Sequence, residues 1–263
     1  MNYIRFNKEI IVITGAGQGI GKAIAKSLDH KYDLLLISKT SNCKKTLEEI
    51  KKNAFKGTKT DRVIKYLKID LEKKFNISKL QKIINFRKYE KVHLILCAGI
   101  VDQYKNSYQN VTNWKKVFNI NFFSNINLIN FFLKFYDKNQ KQNKIIVFSG
   151  GGAASSFKAF PIYSASKTAL VRTIENYSEI LSKKNISIFA IAPGAVKTKM
   201  LKKVEKITKV GTKSEIIDVV KFVNQCLKMN TDIFNGKLIH IKDDVSKISK
   251  NKNKDYLKLR RVQ

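Results

Sequence analysis

The chain is poor in the residues that most often mark a metal centre or an oxidised scaffold. Its 263 residues include three cysteines and three histidines. Cys43, Cys97 and Cys226 lie far apart and form no Cys-x-x-Cys pair, which excludes a disulfide framework and a thiolate metal cluster. His30, His93 and His240 are equally scattered, so no metal is expected. Proline occurs only at 161 and 193, and no stretch rich in Pro, Gly or Ser divides the chain; one domain over 1–263 is expected. Apolar runs of membrane-spanning length are missing, as is the apolar core and small-residue cleavage site of a signal peptide. The expected location is a reducing cytoplasm, with no membrane partner.

Acidic residues are scarce too: 20 Asp and Glu stand against 52 Lys and Arg, a formal net charge of +32. Such a charge raises nucleic acid as a partner, because clustered cations release counterions from a phosphate backbone. The kind of cation argues otherwise. Only Arg5, Arg62, Arg87, Arg172, Arg260 and Arg261 carry the guanidinium fork that base and phosphate recognition favours. Lys, Asn and Ile abound together, a bias matching AT-rich coding drift that puts lysine on every solvated face. No nucleic-acid partner is expected, and binding of that kind is the weakest alternative.

What is present is a regular alternation. Short Ile-, Val- and Leu-rich runs at 10–14, 34–38, 63–69, 92–98, 145–149, 186–191 and 238–241 are separated by longer segments of helical period. This predicts an α/β fold with a seven-stranded parallel sheet flanked by helices on both faces. Between the first two strands, Ile20, Ala23, Ile24, Ser27 and Leu28 fall at helical spacing. A second strong helix is expected from about Tyr163 to Leu181. The lysine-, asparagine- and serine-rich segment 247–254 reads as a solvated loop.

The first strand runs into Thr14-Gly15-Ala16-Gly17-Gln18-Gly19-Ile20-Gly21. Glycines here let the backbone turn, approach a pyrophosphate closely and start a helix whose positive end faces it. At the end of the second strand, where an acidic residue would take the adenosine ribose, the chain reads Ser38-Lys39-Thr40. A cation without a carboxylate favours NADP over NAD. Asp70, at the end of the third strand, is a candidate for the adenine amino group or a simple cap. Tyr163 and Lys167, four apart, share one face of a helix, where an ammonium can favour the phenolate.

These motifs together with Asp70-Leu71, Cys97-Ala98-Gly99, Asn121 in Asn119-Ile120-Asn121, Ser149, and Pro193-Gly194-x-x-x-Thr198 make residues 8–241 resemble the short-chain dehydrogenase/reductase family, in its compact single-domain subgroup. The resemblance implies a Rossmann-type doubly wound fold and a catalytic set of Asn121, Ser149, Tyr163 and Lys167. In that set Tyr163 moves the substrate proton and Lys167 lowers its pKa and binds the nicotinamide ribose. Ser149 hydrogen-bonds the carbonyl oxygen and Asn121 holds a water relay. Cofactor contacts are implied for Gly15, Gly17, Gln18, Gly19, Ile20, Gly21, Ser38, Lys39, Asp70, Leu71, Ala98, Gly99, Tyr163, Lys167, Pro193, Gly194, Val196 and Thr198. Independently of the family, reduction of a carbonyl creates an alkoxide that needs a hydrogen-bond donor and a proton source, which Ser, Tyr and Lys supply without metal.

Two departures stand out. The family serine commonly lies thirteen residues before the tyrosine, where this chain has Gly150, with Ser149 one residue earlier; Ser149-Gly150-Gly151-Gly152-Ala153 matches a variant group. Ser155 and Ser156 read as turn formers. Leu96-Cys97 replaces an asparagine pair before Ala-Gly, so a weaker strand-to-strand connection is expected there. A substrate lid at about 195–213 carries Lys199, Lys202, Lys203, Lys206, Lys209 and Lys213, which suits an anionic substrate. A basic tail at about 243–263 shares the variant group's Leu-Arg-Arg ending and is expected to fold back over the site or onto a partner subunit.

The function expected is interconversion of a carbonyl and a secondary alcohol, with NADP preferred and NAD as the alternative. A sugar or glycan precursor and a 3-oxoacyl thioester are both candidate substrates. A non-catalytic NADP-binding scaffold or sensor is the alternative function. The resemblance also implies a homodimer or homotetramer joined through the Tyr163 helix and its neighbour.

Overall fold

A computed structural model describes residues 9–28, 31–54, 62–73, 79–102, 111–136, 142–211 and 213–250. Seven strands form one parallel sheet: β1 (Glu9–Thr14), β2 (Asp33–Ser38), β3 (Ile64–Lys68), β4 (Lys91–Leu96), β5 (Asn143–Phe148), β6 (Ile186–Ala192) and β9 (Leu238–His240). Their order is β3-β2-β1-β4-β5-β6-β9. The seven expected strands are all found, with ends shifted by at most two residues. The order reverses between β1 and β4, and in open sheets of this kind the crevice beyond the carboxyl ends of such strands takes ligands.

Alternation along the strands explains why both faces need covering. Ile10 and Val12 point into a core with Leu128, Leu170 and Ile174, while Ile11 and Ile13 point into a second core with Ile24, Val219 and Val223. The first core is roofed by α5 (Ser124–Phe132) and α6 (Pro161–Ser182), the second by α1 (Gly19–Leu28) and α8 (Ile216–Lys228). The other helices are α2 (Asn42–Ala54), α3 (Lys79–Ile83), α4 (Val111–Phe118), α7 (Lys199–Glu205) and α9 (Val245–Lys250). Edge strand β3 exposes Lys65 and Lys68, whose charges discourage pairing with another chain.

Two expectations change. α6 begins at Pro161 rather than Tyr163, because proline at the first helical position sacrifices only an amide that has no partner there. Residues 247–250 of the expected loop 247–254 belong to a helix, α9 (Val245–Lys250): Ile248 is buried in the second core, and its amide donates to Asp244 O at 3.0 Å. One apolar side chain in a polar stretch suffices to dock a turn. Residues 251–254 and the rest of the tail to 263 lie outside the described residues.

The amino ends of β1 and β4 carry a buried polar cluster. The Lys144 amide donates to His93 Nδ1 at 3.1 Å, so the imidazole proton sits on Nε2, 3.4 Å from Glu9 Oε2. Burial holds His93 below its ordinary pKa, against the pull of Glu9. The hydrogen bond from His93 and the Lys91 ammonium at 2.5 Å hold the Glu9 carboxyl down at about 2, against the cost of burial. A carboxylate whose folded pKa is depressed stabilises the fold above its unfolded pKa and loses that contribution as pH falls. Acid unfolding is therefore expected to remove about 3 kcal/mol between pH 4.5 and 2. Urea melts of wild type and Glu9→Gln across that range should converge at the acid end; parallel curves would refute the assignment.

Candidate active site

Apart from Tyr163, Lys167 and Asn121, the candidate site residues lie at or just beyond the carboxyl ends of the strands. The turn 15–18 follows β1, Ser38 and Lys39 end β2, Asp70 and Leu71 follow β3, Ala98 and Gly99 follow β4, Ser149 follows β5, and Pro193 to Thr198 follow β6. Gly15 adopts φ +69°, and a methyl group on it would come within 3.1 Å of Ala98 N. On Gly21 the same group would be 2.6 Å from Gly15 O, so these glycines let α1 begin directly against the strand ends. Gln18 is exposed, Ile20 packs against the second core, and Gly17 lies beside Ser38 Oγ. The missing asparagine pair has a substitute, because Thr14 Oγ1 accepts from Ala98 N at 3.1 Å and ties β4 to β1.

Tyr163 and Lys167 both belong to α6. Lys167 is buried, its Nζ donates to Phe148 O at 2.7 Å, and it lies 5.8 Å from the Tyr163 ring centroid. Burial pulls Lys167 down to about 8 and pushes the Tyr163 phenol up to about 12. At neutral pH the tyrosine holds its proton.

The loop after β4 grips the start of this helix through residues that sequence reasoning missed. α6 has no side-chain cap at Phe160, and the third helical amide, that of Tyr163, donates instead to Asp102 Oδ1 at 3.1 Å. Asp102 is buried, three residues past Gly99 in a chain short of acids. Asn121 forms the other grip. Its Oδ1 accepts from Ile100 N at 2.9 Å, and its Nδ2 donates to Ile100 O at 2.9 Å and to Ser166 Oγ at 3.1 Å. Ser166 Oγ in turn donates to Tyr163 O at 2.7 Å. The helix widens into a π turn, Asn119–Phe123, around Asn121, a distortion common where a side chain is re-aimed at a site. Both Asn121 N–H bonds are spent inside the protein, and the chain through Ser166 reaches the Tyr163 carbonyl.

Asp102→Ala is expected to cost about 1 kcal/mol of stability and to lower kcat more than it changes KM, with Asp102→Asn, which keeps an acceptor, restoring most of both. Equal losses in the two variants would contradict a capping role.

Ser149 Oγ is buried and has no hydrogen-bond partner among the described residues. The backbone position that faces the tyrosine is its neighbour: a methyl group on Gly150 would lie 2.8 Å from Tyr163 Oη. Gly151 opens onto free space. Ser155 and Ser156 are exposed in the loop beyond.

The expected lid begins at β7 (Ala195–Val196), which pairs with β8 (Lys213–Ser214) and encloses α7. Thr198 caps α7 by accepting from Leu201 N at 3.3 Å, and its methyl would meet a group on Gly19 at 3.4 Å. The glycine turn and the lid base thus face each other. Lys39 is not free: its Nζ lies 3.0 Å from Asp70 Oδ2 and 3.3 Å from Glu72 Oε2, which raises its pKa. Among the described residues there is no His, Cys, Asp and Glu cluster suited to a metal. No helix among them is long and apolar enough to cross a membrane. A groove of about 520 Å³ runs from Leu71 and Glu72 along the face of α5.

Comparison with known proteins places this arrangement. The chain is 25% identical over 252 residues to 3-oxoacyl-[acyl-carrier-protein] reductase FabG of Buchnera aphidicola subsp. Baizongia pistaciae, covering 90% of this chain and 97% of the relative. It is 21% identical over 259 residues to benzil reductase ((S)-benzoin forming) IRC24 of Saccharomyces cerevisiae, covering 90% and 97%. Among solved structures it resembles 4-hydroxyisoleucine dehydrogenase complexed with NADH, with TM-score 0.72, 20% identity and coverage of 88% and 96%. A Shigella flexneri 2a structure described as a short chain dehydrogenase complexed with NADP matches with TM-score 0.75, 18% identity and coverage of 90% and 98%. The model of the short chain dehydrogenase family matches residues 9–209, and the chain belongs to that family of oxidoreductases.

Proposed function

We propose that the protein reduces a carbonyl to a secondary alcohol with a nicotinamide dinucleotide, NADP(H) in preference to NAD(H). The observation that carries this reading is Tyr163 with a buried Lys167, whose Nζ is 5.8 Å from the Tyr163 ring centroid, at the sheet edge that also holds the glycine turn. The glycine turn fits a dinucleotide, since side chains at 15 and 21 would fill the space where backbone meets backbone. Gly15, Gly17, Gln18, Gly19, Ile20 and Gly21 would hold the pyrophosphate, with Ser38 and Lys39 at the 2′-phosphate. Asp70 and Leu71 would meet the adenine, and Ala98, Gly99, Pro193, Gly194, Val196 and Thr198 the nicotinamide end. The bound dinucleotide supplies hydride to the carbonyl carbon.

Tyr163 gives its phenolic proton to the oxygen as it becomes an alkoxide; burial pushes the phenol up to about 12, so the proton is present at neutral pH. Lys167 places a cation beside the phenolate that remains. Ser149, whose buried hydroxyl lacks a partner, is the proposed donor to the substrate oxygen; Asn121 acts by holding α6 through Ser166. The relative named as a 3-oxoacyl reductase favours a 3-oxoacyl thioester over a sugar or glycan precursor, and the basic lid favours an anionic group on that substrate. A homodimer or homotetramer through α6 and its neighbour is supported by exposed Ile180 on α6 and Trp114 and Phe123 on the preceding helices. The compact subgroup, a cytoplasmic location and the absence of nucleic-acid partners complete the proposal.

A specific observation favours a second reading: the residue facing Tyr163 Oη is a glycine, so the site has no hydroxyl at that point. NADPH oxidation across a panel of 3-oxoacyl thioesters, diketones and ketosugars separates the two. Turnover on any member supports the reductase; tight NADPH binding with silence across the panel favours the scaffold or sensor.

A further inference from the structure

We propose that Glu72 is a cofactor-selectivity residue, which competes with the 2′-phosphate of NADP(H) for Lys39 and so narrows the preference for NADP(H). The proposal rests on the dinucleotide site proposed above. β2 and β3 are paired through Ser38 and Lys68, so the residues that follow them emerge side by side. Lys39 comes from the first, Asp70 and Glu72 from the second. The Lys39 ammonium is 3.0 Å from Asp70 Oδ2 and 3.3 Å from Glu72 Oε2.

Two carboxylates share the Lys39 cation where the adenosine ribose would lie, and the Lys73 charge acts on Asp70 as well. Ribose hydroxyls can donate to a carboxylate, whereas a phosphate has nothing to donate and adds about two negative charges. To use Lys39, the phosphate must take it from one of its present partners. Asp70 is fixed locally, since its Oδ1 accepts from Glu72 N at 3.1 Å. The Glu72 carboxylate sits on a longer stem and, among the described residues, accepts only from Lys39, so it is the partner that yields. The Lys39 side chain is 58% exposed, so water and salt screen the competition and limit it to a modest factor.

Fluorescence titration of wild type, Glu72→Gln and Glu72→Lys with NADPH and with NADH, at low and moderate salt, tests this. Glu72→Gln should tighten NADPH about fivefold, with NADH changed less than about twofold and the gain shrinking as salt rises. Glu72→Lys should extend the same trend. An unchanged NADPH affinity in both variants, or equal changes for the two dinucleotides, would overturn the role of Glu72. If wild type bound neither dinucleotide, the site itself would be wrong, and the proposal with it.

Discussion

Tyr163→Phe is expected to lower carbonyl reduction by at least about a hundredfold while leaving NADPH affinity within about twofold of wild type. The ring remains to pack against Phe157, with which it makes an edge contact at 6.5 Å between centroids. The main-chain bonds to Asp102 and Ser166 are untouched. Only the phenolic proton is removed, so a loss of binding would point to misfolding and retained turnover would show that another group supplies the proton. The pH profile adds an independent reading. Lys167 is charged below about 8, so if its cation supports the nascent phenolate, reductive kcat should be steady at neutral pH and decline as pH rises through that value.

Lys144→Met is expected to lower stability by about 3 kcal/mol, a large effect for a residue outside the site. Lys144 is buried in β5, and its Nζ donates to Cys226 O at 2.9 Å, Leu227 O at 2.8 Å and Met229 O at 2.6 Å. These are carbonyls at the end of α8, which lack donors within the helix and lie at its negative pole. Burial draws the ammonium down to about 8, yet three acceptors need all three of its N–H bonds, so the charged form is the one that satisfies them. Methionine keeps most of the apolar stem and supplies no donor, leaving the carbonyls buried and unpaired. Urea unfolding should show a lower midpoint at an unchanged slope. A change below about 0.5 kcal/mol would mean that water serves the helix end equally well.

The contrast between these residues shows what a sequence can carry. The strands were legible because unbroken Ile, Val and Leu runs are dictated by burial on both faces, and the glycine turn because its spacing answers a local steric demand. Tyr163 and Lys167 share a helix, so their relation is also local. Asp102, Ser166 and Lys144 act across the fold: an aspartate after β4 caps a helix sixty residues on, and a β5 lysine closes a helix end beyond residue 225. No periodicity encodes such pairings. Lys39 was visible as a cation in the right place, but its two carboxylate partners became apparent only with β2 and β3 side by side. Ser149 and Gly150 show the limit at a single residue, since spacing named the hydroxyl while the backbone turned the glycine toward Tyr163. Ile248 was hidden because one apolar residue among lysines and asparagines gives no pattern.

The central claim is that the sheet edge from Gly15 to Thr198 is a working dinucleotide site. Its most direct test is titration of the purified wild-type protein with NADPH and NADH, followed by fluorescence in moderate salt, beside Lys39→Glu. Saturable binding of both is predicted, NADPH the tighter, with the order reversed in the variant; binding of neither dinucleotide by a folded wild-type protein would contradict the account.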